Sequence, residues 1–353
     1  MLPARRRSGM LTHTPRSMKL ATLKDGSRDG QLVVVSRDLS SAHFATGIAG
    51  TMRQLLDDWN FLSPQLEDLS ATLNGGKARH AFAFDPARCM APLPRPAQWV
   101  DGSAYLHHVE LVRRARGAGL PPGLREDPLM YQGGSDDLAG PCDDALFVSA
   151  ADGIDFEAEL AVVTGDVDIG TDADAALDAV RLLLLVNDWT LRERVPAELA
   201  KGFGFLQSKP ATAFGPVAVT PDELGDGWRG GRVHATLLVR RNGREVARQD
   251  TGAGMHFHFG QLIAHLAATR RVRAGSIVGG GTVSNADPAA GSGHACVAEQ
   301  RALEVIEQGA PRTPWLDFGE HVHLEAVDGQ GASLFGAIAQ VVAPARGDEV
   351  GRP

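Results

Sequence analysis

The chain has 353 residues, of which 43% are hydrophobic, 22% charged and 6% aromatic. This composition is typical of globular proteins and excludes collagen-like, low-complexity and wholly disordered chains. The formal net charge is −8 at pH 7, from 43 acidic and 35 basic residues. Because proteins that bind nucleic acid usually carry a basic excess or a basic face, nucleic acid is not an expected partner.

The cysteines and the apolar runs argue against a secreted or membrane protein. Cys89, Cys142 and Cys296 are odd in number and far apart, so they predict neither a disulfide framework nor a zinc knuckle, and the expected compartment is a reducing cytoplasm. We expect Cys142 and Cys296 to be small core residues. The longest apolar run, Leu182 to Val186, is far shorter than the roughly 20 residues of a membrane helix.

Both ends of the chain are expected to lie outside the folded part. Residues 1–17 contain four arginines and no acid, and they lack the apolar stretch of a signal peptide. They predict a disordered or mis-assigned leader, with an arginine-rich transit peptide as the alternative. Residues 346–353 predict a disordered tail.

The first folded segment, residues 18–95, is predicted to be a small β-rich domain. Short apolar stretches on both sides of the turn KDGSRDG predict a β-hairpin from Met18 to about Val35. Apolar residues at helical spacing over 47–72 predict one or two helices, interrupted near Pro64. Three prolines in MAPLPRPA, residues 90–97, favour extended backbone and predict a domain boundary.

The second segment, residues 96–345, is predicted to consist mostly of short strands separated by glycines. One helix is expected within Ala175–Leu185, leading into the apolar strand LLLLVND, and another over Phe257–Thr269. The predicted strands are Phe156–Val163, Ser276–Val283, a hairpin of Val233–Val239 with Arg244–Arg248 that turns at Asn242 and Gly243, and a closing pair of Val322–Ala326 with Leu334–Val342. Many strands with few helices indicate a β-rich α+β fold.

Four acids stand inside or beside these apolar strands. Glu157 and Glu159 lie two apart in one predicted strand, so their side chains should project from one face. Asp188 closes the strand LLLLVND, and Asp101 follows the apolar pair at 99–100. Ionised carboxylates are costly to bury unless a cation compensates them, and four together offer the oxygen ligands that suit Mg²⁺, Mn²⁺ or Ca²⁺. The alternative interpretation is a solvated strand face with ordinary acids.

Around these acids, six segments follow one another in a recognisable order. They are DGSAYLHH (101–108), MYQGGSDD (130–137), DFEAEL (155–160), VNDWTLR (186–192), FLQSKPATAFGPV (205–217) and GGGTVSN (279–285). In this order they resemble the fumarylacetoacetate hydrolase family, in particular its long bacterial members, from about Met18 to Val342. The resemblance implies a small β-rich N-terminal domain followed by a mixed β-roll that houses a divalent metal.

The resemblance also implies roles for the residues at matching positions. The metal carboxylates are Glu157, Glu159 and Asp188, with Asp101 as the fourth. The other matched positions are His108 for the water-activating histidine, Lys209 and Arg192 for the developing oxyanion, and Thr282 and Tyr131 for the substrate carboxylate site. His107 is the competing candidate for the base, although we expect its role to be structural.

The chain departs from the family pattern in two places. Val195 stands where the animal enzymes have a glutamine, so an oxyanion donor is missing unless Gln207 or a backbone amide replaces it. The acid that orients the catalytic histidine should follow the GTVSN segment. Glu299 is the candidate for this role, and Asp287 is the alternative.

Other motifs are expected to be structural. His256, His258 and His265 have no further ligand at metal spacing, so they predict packing at the start of a helix. His321 and His323 alternate and predict one exposed strand face. The triple glycine of GGGTVSN lacks the Lys-Ser/Thr of a phosphate loop and predicts a close approach of backbone to substrate or sheet.

The function implied by the resemblance is hydrolysis of a C–C bond in a β-diketo acid, with Mg²⁺ or Ca²⁺ as cofactor and Mn²⁺ as a further candidate. Fumarylacetoacetate, cleaved to fumarate and acetoacetate in tyrosine and homogentisate breakdown, is the first substrate to consider. An acylpyruvate or fumarylpyruvate hydrolase or an oxaloacetate decarboxylase ranks second, because those chains are often shorter. A catalytically silent metal-binding protein ranks last, since His108 and Lys209 are both present. The family habit also predicts a homodimer without a membrane partner.

Overall fold

The computed structural model describes residues 17–345. The predicted tail and all but the last residue of the predicted leader therefore lie outside the described residues. Among residues 17–345, no helix is both long and apolar enough to cross a membrane.

The N-terminal part consists of two helices packed on four strands. The strands are β1 (Lys19–Leu23), β2 (Gln31–Val35), β3 (Ser41–Phe44) and β4 (Phe82–Ala83), and the helices are α1 (Met52–Asp57) and α2 (Trp59–Asn74). The predicted hairpin is therefore confirmed as β1 and β2, whose register pairs Lys19 with Val35. Thr51 caps the start of α1, because its side chain accepts a hydrogen bond from the Gln54 N–H.

The remaining part consists of strands interspersed with five helices. The strands are β5 (Gln98–Gly102), β6 (Met130–Gly133), β7 (Ala145–Phe147), β8 (Ile154–Asp155), β9 (Ala158–Thr164), β10 (Val180–Asn187), β11 (Thr190–Leu191), β12 (Ala213–Phe214), β13 (Ala218–Val219), β14 (Trp228–Arg229), β15 (Arg232–Val233), β16 (Thr236–Arg241), β17 (Arg244–Asp250), β18 (Ser276–Gly279), β19 (Gly291–Gly293), β20 (His321–Val327) and β21 (Ser333–Pro344). The helices are α3 (Leu106–Ala115), α4 (Ala173–Leu177), α5 (Val195–Lys201), α6 (Phe259–Ala267) and α7 (Val297–Gln308). This arrangement confirms the β-rich α+β class.

Two large sheets contain most of these strands, and two further pairs, β8 with β11 and β14 with β15, form two-stranded sheets. The larger has the order β4-β3-β2-β1-β13-β10-β9-β18-β5-β6, with β12 pairing to β10, and the smaller has the order β19-β17-β16-β20-β21-β7. Strand β1 pairs with β13, so the large sheet continues without a break from the N-terminal strands into those of the second part. Most pairs are antiparallel, and β18 runs parallel to β5.

The large sheet is buried on both faces. Alternate residues of β10 show this directly, because Leu183 and Leu185 belong to one hydrophobic core while Leu182 and Leu184 belong to another. The first core also takes residues from the small sheet, and the second takes residues from α1 and α2. A strand covered on both faces is expected to be a continuous apolar run, as LLLLV is.

The predicted position of the helix break and the predicted burial of Cys142 are wrong. The helix break lies at Asp58, between α1 and α2, and not at Pro64, which is inside α2. Proline removes one hydrogen bond to the carbonyl four residues earlier, and α2 tolerates this because Pro64 and Asn60 are both exposed to water. Cys142 is exposed in a turn, whereas Cys296 is buried as expected.

Two other predictions concern glycine turns. The hairpin turn at Asn242 and Gly243 is confirmed, since both residues have positive φ (52° and 77°), as a tight two-residue turn requires. The strand predicted from Ser276 to Val283 ends early, at Gly279. The chain then turns through Gly281, whose φ of 80° is incompatible with a strand.

Candidate metal and active site

Three of the predicted metal carboxylates converge at one end of neighbouring strands. Asp101 lies in β5, Glu159 in β9, and Asp188 follows the end of β10. Strand β18 lies between β5 and β9 and pairs Gly279 with Asp101. A Cβ at Gly279 would come within 2.2 Å of Asp101 Oδ1, so glycine is required for the carboxylate to lie across this strand.

The next part of the glycine segment also holds Asp101. The Gly281 N–H donates to Asp101 Oδ1 at 3.0 Å. The predicted close approach of the triple glycine to a sheet is observed at Gly281, where a Cβ would lie 2.2 Å from the carbonyl oxygen of Gly102 in β5; the segment also contacts a carboxylate of the site.

Asp101, Glu159 and Asp188 form a buried cluster of like charges. One oxygen of each lies within 4.8 Å of the others, and all three residues are buried. Burial raises the pKa of Asp101 and of Glu159 well above its ordinary value, and the neighbouring carboxylates raise it further. Glu159 Oε2 is buried without a hydrogen-bond partner. An all-oxygen donor set with uncompensated charge fits a hard divalent cation.

Glu157, the fourth predicted ligand, has a different environment. Its carboxylate receives hydrogen bonds from Lys209 Nζ at 2.5 Å and from an Arg192 guanidinium nitrogen at 2.6 Å. Burial opposes ionisation of Glu157, but the two cations outweigh it and hold the pKa of this carboxyl below its usual range. Glu157 is not part of the close group of three, and its role as a ligand stays a prediction.

Lys209 connects Glu157 to the carboxylate cluster. Its Nζ donates to Glu157, to Asp188 Oδ2 at 2.6 Å and to Thr190 Oγ1 at 2.8 Å. Burial favours the neutral amine, but Asp188 and Glu157 outweigh it and raise the pKa of Lys209. Lys209 is therefore a permanent cation inside the protein.

The ionised charges of the site do not balance. Among the described residues, the five buried carboxylates of Asp101, Asp155, Glu157, Glu159 and Asp188 face two cations, Lys209 and Arg192, so three negative charges remain when all five are ionised. One divalent cation would offset two of them. The solvated strand face considered as the alternative is wrong, because Glu159 is fully buried and Glu157 is 5% exposed.

Asp155 is a buried acid of the site to which the sequence assigned no role. Its carboxylate accepts Arg192 Nε at 2.8 Å and the N–H groups of Val297 and Ala298, at the start of α7. It thus fixes both the guanidinium and the helix that carries Glu299. The sequence feature that could have identified Asp155 is its position at the head of the DFEAEL segment.

His108 and Glu299 form the predicted acid–base pair. The Nδ1 atom of His108 lies 2.8 Å from Glu299 Oε1, and its Nε2 atom lies 3.9 Å from Glu157 Oε1. The alternative acid, Asp287, is exposed and accepts the N–H of Ala289. His107 does not line the cavity that His108 lines.

These groups surround a cavity of about 590 Å³. The predicted site residues that line it are Asp101, His108, Tyr131, Glu157, Glu159, Arg192, Lys209 and Thr282. The Tyr131 hydroxyl donates to Asp188 Oδ2 at 2.5 Å, and the Thr282 hydroxyl donates to Glu159 Oε1 at 3.4 Å. Both hydroxyls therefore contact the carboxylate cluster as well as the cavity, and their role in binding substrate stays a prediction.

Val195, which occupies the position of the missing glutamine side chain, lines the cavity. Gln207, considered as a substitute, is exposed, and its side-chain oxygen accepts from Arg194 at 3.4 Å, so it does not fill this role. Two arginines that the motifs did not single out, Arg113 and Arg116 of the α3 end, also line the cavity.

The remaining histidines have structural contacts. His258 caps α6, His256 Nε2 lies 2.8 Å from the carbonyl of Arg125, and His265 pairs with Asp127 at 3.1 Å. Among residues 17–345, the two clusters able to hold a metal include none of these histidines.

In this strand-rich fold, an oxygen-only candidate metal site lies beside a histidine–glutamate pair at one cavity. The chain belongs to the fumarylacetoacetate hydrolase family. The family model described as fumarylacetoacetate (FAA) hydrolase C-terminal matches residues 97–343, and the one described as fumarylacetoacetase N-terminal domain 2 matches residues 18–95.

Relatives and solved structures agree with this assignment. A Burkholderia ambifaria protein named "Putative hydrolase" is 28% identical over 235 residues, which cover 63% of this chain and 77% of that protein. A fumarylacetoacetate hydrolase from Exiguobacterium antarcticum has a TM-score of 0.63 at 16% identity, covering 93% of this chain and 99% of its own.

Two further solved structures share the fold. A maleylpyruvate hydrolase from Sphingobium sp. SYK-6, in complex with manganese(II) and pyruvate, has a TM-score of 0.60 at 16% identity, covering 93% of this chain and 100% of its own. A probable 2-hydroxyhepta-2,4-diene-1,7-dioate isomerase from Mycobacterium abscessus has a TM-score of 0.62 at 18% identity, covering 94% and 100%.

Proposed function

We propose that this protein is a divalent-metal-dependent hydrolase that cleaves the C–C bond of a β-diketo acid, with fumarylacetoacetate as the first candidate substrate. The observation that carries the proposal is the arrangement of groups around one cavity. The His108–Glu299 pair, the cations Lys209 and Arg192, and the carboxylates Asp101 and Glu159 serve the same space of about 590 Å³.

The base of the reaction is His108. A water molecule gives a proton to its Nε2 while the water oxygen adds to one carbonyl carbon of the diketone. The C–C bond then breaks, its electron pair forms the enolate of the leaving fragment, and His108 returns the proton to the enolate carbon. Water is consumed, and two acids are released from one.

Lys209 and Arg192 supply positive charge for the oxyanion that forms at the attacked carbonyl. All three N–H donors of Lys209 already have partners, of which Thr190 is the neutral one. An oxyanion that enters the site therefore either replaces Thr190 as the hydrogen-bond acceptor of Lys209, or is stabilised by the positive charge of Lys209 without a hydrogen bond. Preorganised donors of this kind are typically worth about 3–4 kcal/mol each.

Asp101, Glu159 and Asp188 are the residues that would hold the metal, with Glu157 beside them. A divalent cation bound there acts as a Lewis acid toward the dicarbonyl and favours the enolate. Mg²⁺, Ca²⁺ and Mn²⁺ all suit such oxygen ligands.

The substrate class is supported by the charges at the cavity. Arg113 and Arg116 add two cations to its lining, which favours a substrate with a carboxylate beyond the reacting diketone. Fumarylacetoacetate is such a diacid, and the match of residues 18–95 to a fumarylacetoacetase N-terminal domain model supports it as the first candidate. This substrate belongs to tyrosine and homogentisate breakdown.

The experiment that tests this proposal follows the ultraviolet absorbance of fumarylacetoacetate with the protein in Mg²⁺ and after EDTA treatment. Fumarylpyruvate and oxaloacetate are run alongside. Fast, EDTA-sensitive loss of fumarylacetoacetate is the expected result. Preference for a pyruvate-type substrate would keep the chemistry and change the pathway, and no turnover of any substrate by metal-loaded protein would overturn the proposal.

We also propose that the protein acts as a homodimer in the cytoplasm. The support is the habit of its family, together with the free state of Cys89, Cys142 and Cys296. Light scattering after gel filtration should give twice the chain mass of 37.4 kDa, and a mass of one chain at micromolar concentration would contradict the dimer.

A further inference from the structure

Glu299 is shared by two histidines. Its Oε1 lies 2.8 Å from His108 Nδ1, and its Oε2 lies 3.2 Å from Nδ1 of His294. Burial opposes ionisation of Glu299, but the two imidazoles outweigh it and lower the pKa of this carboxyl to about 2. The carboxylate is therefore ionised at neutral pH, with a partner on each oxygen.

The pairing of Glu299 with two histidines distinguishes a second group of possible metal ligands from the carboxylate cluster of Asp101, Glu159 and Asp188. His108, Cys296 and Glu299 also bring ligand atoms within 4.8 Å of one another. Unlike Glu159, however, Glu299 has a partner for both of its oxygens, so this cluster is compensated by its own hydrogen bonds. It needs no cation to be stable.

The pairing also sets the tautomer of both rings. An ionised carboxylate can only accept hydrogen bonds, so each imidazole must donate from Nδ1. The lone pair of neutral His108 is then on Nε2, the atom 3.9 Å from Glu157 Oε1. A base that takes a proton from water in the cavity needs this tautomer.

We propose that His294 is a positioning residue of the catalytic base, which fixes Glu299 so that His108 keeps its Nε2 lone pair directed at the cavity. This inference rests on the proposed function, in which His108 takes a proton from water. Without His294, Oε2 loses its donor, and the Glu299 side chain is free to turn away from His108.

The backbone that carries His294 is rigid. Gly293 has a φ of +70°, and a Cβ there would lie 1.9 Å from the carbonyl oxygen of Val246. The Gln249 side chain donates to the Gly293 carbonyl at 2.6 Å and is itself held by Asn285 at 2.8 Å. His294 is thus presented to Glu299 from a fixed point, as a positioning residue must be.

The other side of the His294 ring meets a separate cavity. The His294 side chain is 20% exposed and lines a space of about 650 Å³ together with Arg244 and Gln300. A shorter side chain can therefore replace the ring there without collapse of the core. Asparagine places its amide N–H near the position of Nδ1, so His294→Asn keeps the donor and His294→Leu removes it.

The test compares these two variants with the wild-type protein. The measurements are kcat, KM, the thermal midpoint and ¹⁵N NMR of the histidine ring nitrogens, in which the His108 signals are assigned by comparison with His108→Gln. We expect His294→Leu to lower kcat about tenfold and to leave KM within about twofold, since loss of a positioning residue removes only a small part of the rate that a general base contributes. His294→Asn should restore kcat to within about twofold. His43→Leu is the matched control, because His43 is half-buried and its ring nitrogens contact backbone carbonyls, those of Phe44 and Arg79.

The NMR measurement separates this inference from the proposed function. Wild-type and His294→Asn proteins should show His108 protonated on Nδ1, and His294→Leu should show a mixture of tautomers, whether or not any diketo acid is turned over. Unchanged ring shifts and kcat in His294→Leu would overturn the inference. Equal losses of kcat and thermal midpoint in both variants would also overturn it, since they would indicate a merely structural role.

Discussion

Glu159→Gln separates the charge of the carboxylate cluster from its packing, because the two side chains have the same shape. Glu159 Oε2 has no hydrogen-bond partner, and Asp101 and Asp188 lie close by. In the metal-free protein, the substitution removes a repelling charge and gives the neighbouring carboxylates an amide donor. The metal-free variant should therefore be at least as stable as the metal-free wild type.

The magnitude follows from the geometry. Two like charges within 4.8 Å of each other repel by at least about 3 kcal/mol at an effective dielectric constant of 20. Protonation relieves part of this repulsion in the wild type, since the pKa of Glu159 is raised by burial and by Asp101. We expect a net gain of about 1–2 kcal/mol, or roughly 1–3 °C in a protein of this size. Mg²⁺ at a hundred times its Kd should stabilise the wild type by about 2.7 kcal/mol and the variant hardly at all.

In EDTA the variant should be the more stable protein, and in Mg²⁺ the wild type should be. Scanning calorimetry of both proteins in the two buffers, with elemental analysis of the bound metal, tests this. Glu304→Gln is the matched control. Glu304 is buried but fully hydrogen-bonded to Arg312 and Thr313, so its loss should lower the midpoint equally in both buffers. Equal stabilisation of Glu159→Gln and the wild type by Mg²⁺ would contradict the role of Glu159 as a metal ligand, and a variant that melts several degrees lower in EDTA would contradict the repulsion within the cluster.

Three further predictions follow from the same structure. His108→Ala should lower kcat by about 10²–10⁴-fold while elemental analysis shows unchanged bound metal; retained turnover would exclude His108 as the base. Lys209→Met should lower kcat by about 10²–10³-fold, and an effect on KM alone in steady-state kinetics would place Lys209 in substrate binding instead. Hydrogen bonds from Thr313 and Arg312 outweigh burial and lower the pKa of Glu304 to about 2, below its unfolded value. Its stabilisation is therefore present above about pH 4.5 and lost as pH falls toward 2, so acid unfolding of Glu304→Gln should show a smaller loss of stability across this range.

Local patterns predicted those features of the fold that depend on a few adjacent residues. The turn at Asn242 and Gly243 depends on the backbone freedom of two residues, and the run LLLLV depends on burial of both faces of one strand. The position of the helix break was not predictable in this way. The sequence around Pro64 looks the same whether the carbonyl four residues earlier, which loses its hydrogen bond, faces water or the core. Only the packing of α2 decides which of the two it faces.

The site was predictable as a set of residues but not as an arrangement. Glu157 and Glu159 belong to the same short sequence segment, and the sequence does not distinguish their environments. Only Glu157, however, forms ion pairs with Lys209 and Arg192. This difference arises from loops that bring Lys209 to Glu157 from 52 residues away. The triple glycine predicted a close approach, but its partner Asp101 follows from the pairing of β18 with β5.

Two contributors had no role assigned from the sequence. Asp155 belongs to DFEAEL but is positioned by the N-terminus of α7, 142 residues further along the chain, and His294 follows β19, which pairs with β17 of the small sheet. Neither pairing has a signature within a short window of sequence, although His294 and Glu299 are themselves five residues apart. Long-range pairing of this kind is what the sequence alone could not supply.

In the proposed reaction, water adds to a carbonyl carbon and the adjacent C–C bond breaks. This step can be tested by turnover of fumarylacetoacetate in H₂¹⁸O, followed by mass spectrometry of the products. Hydrolysis should give fumarate that carries ¹⁸O in its newly formed carboxylate, together with an equal amount of acetoacetate. Consumption of substrate without fumarate, or fumarate without the label, would contradict it.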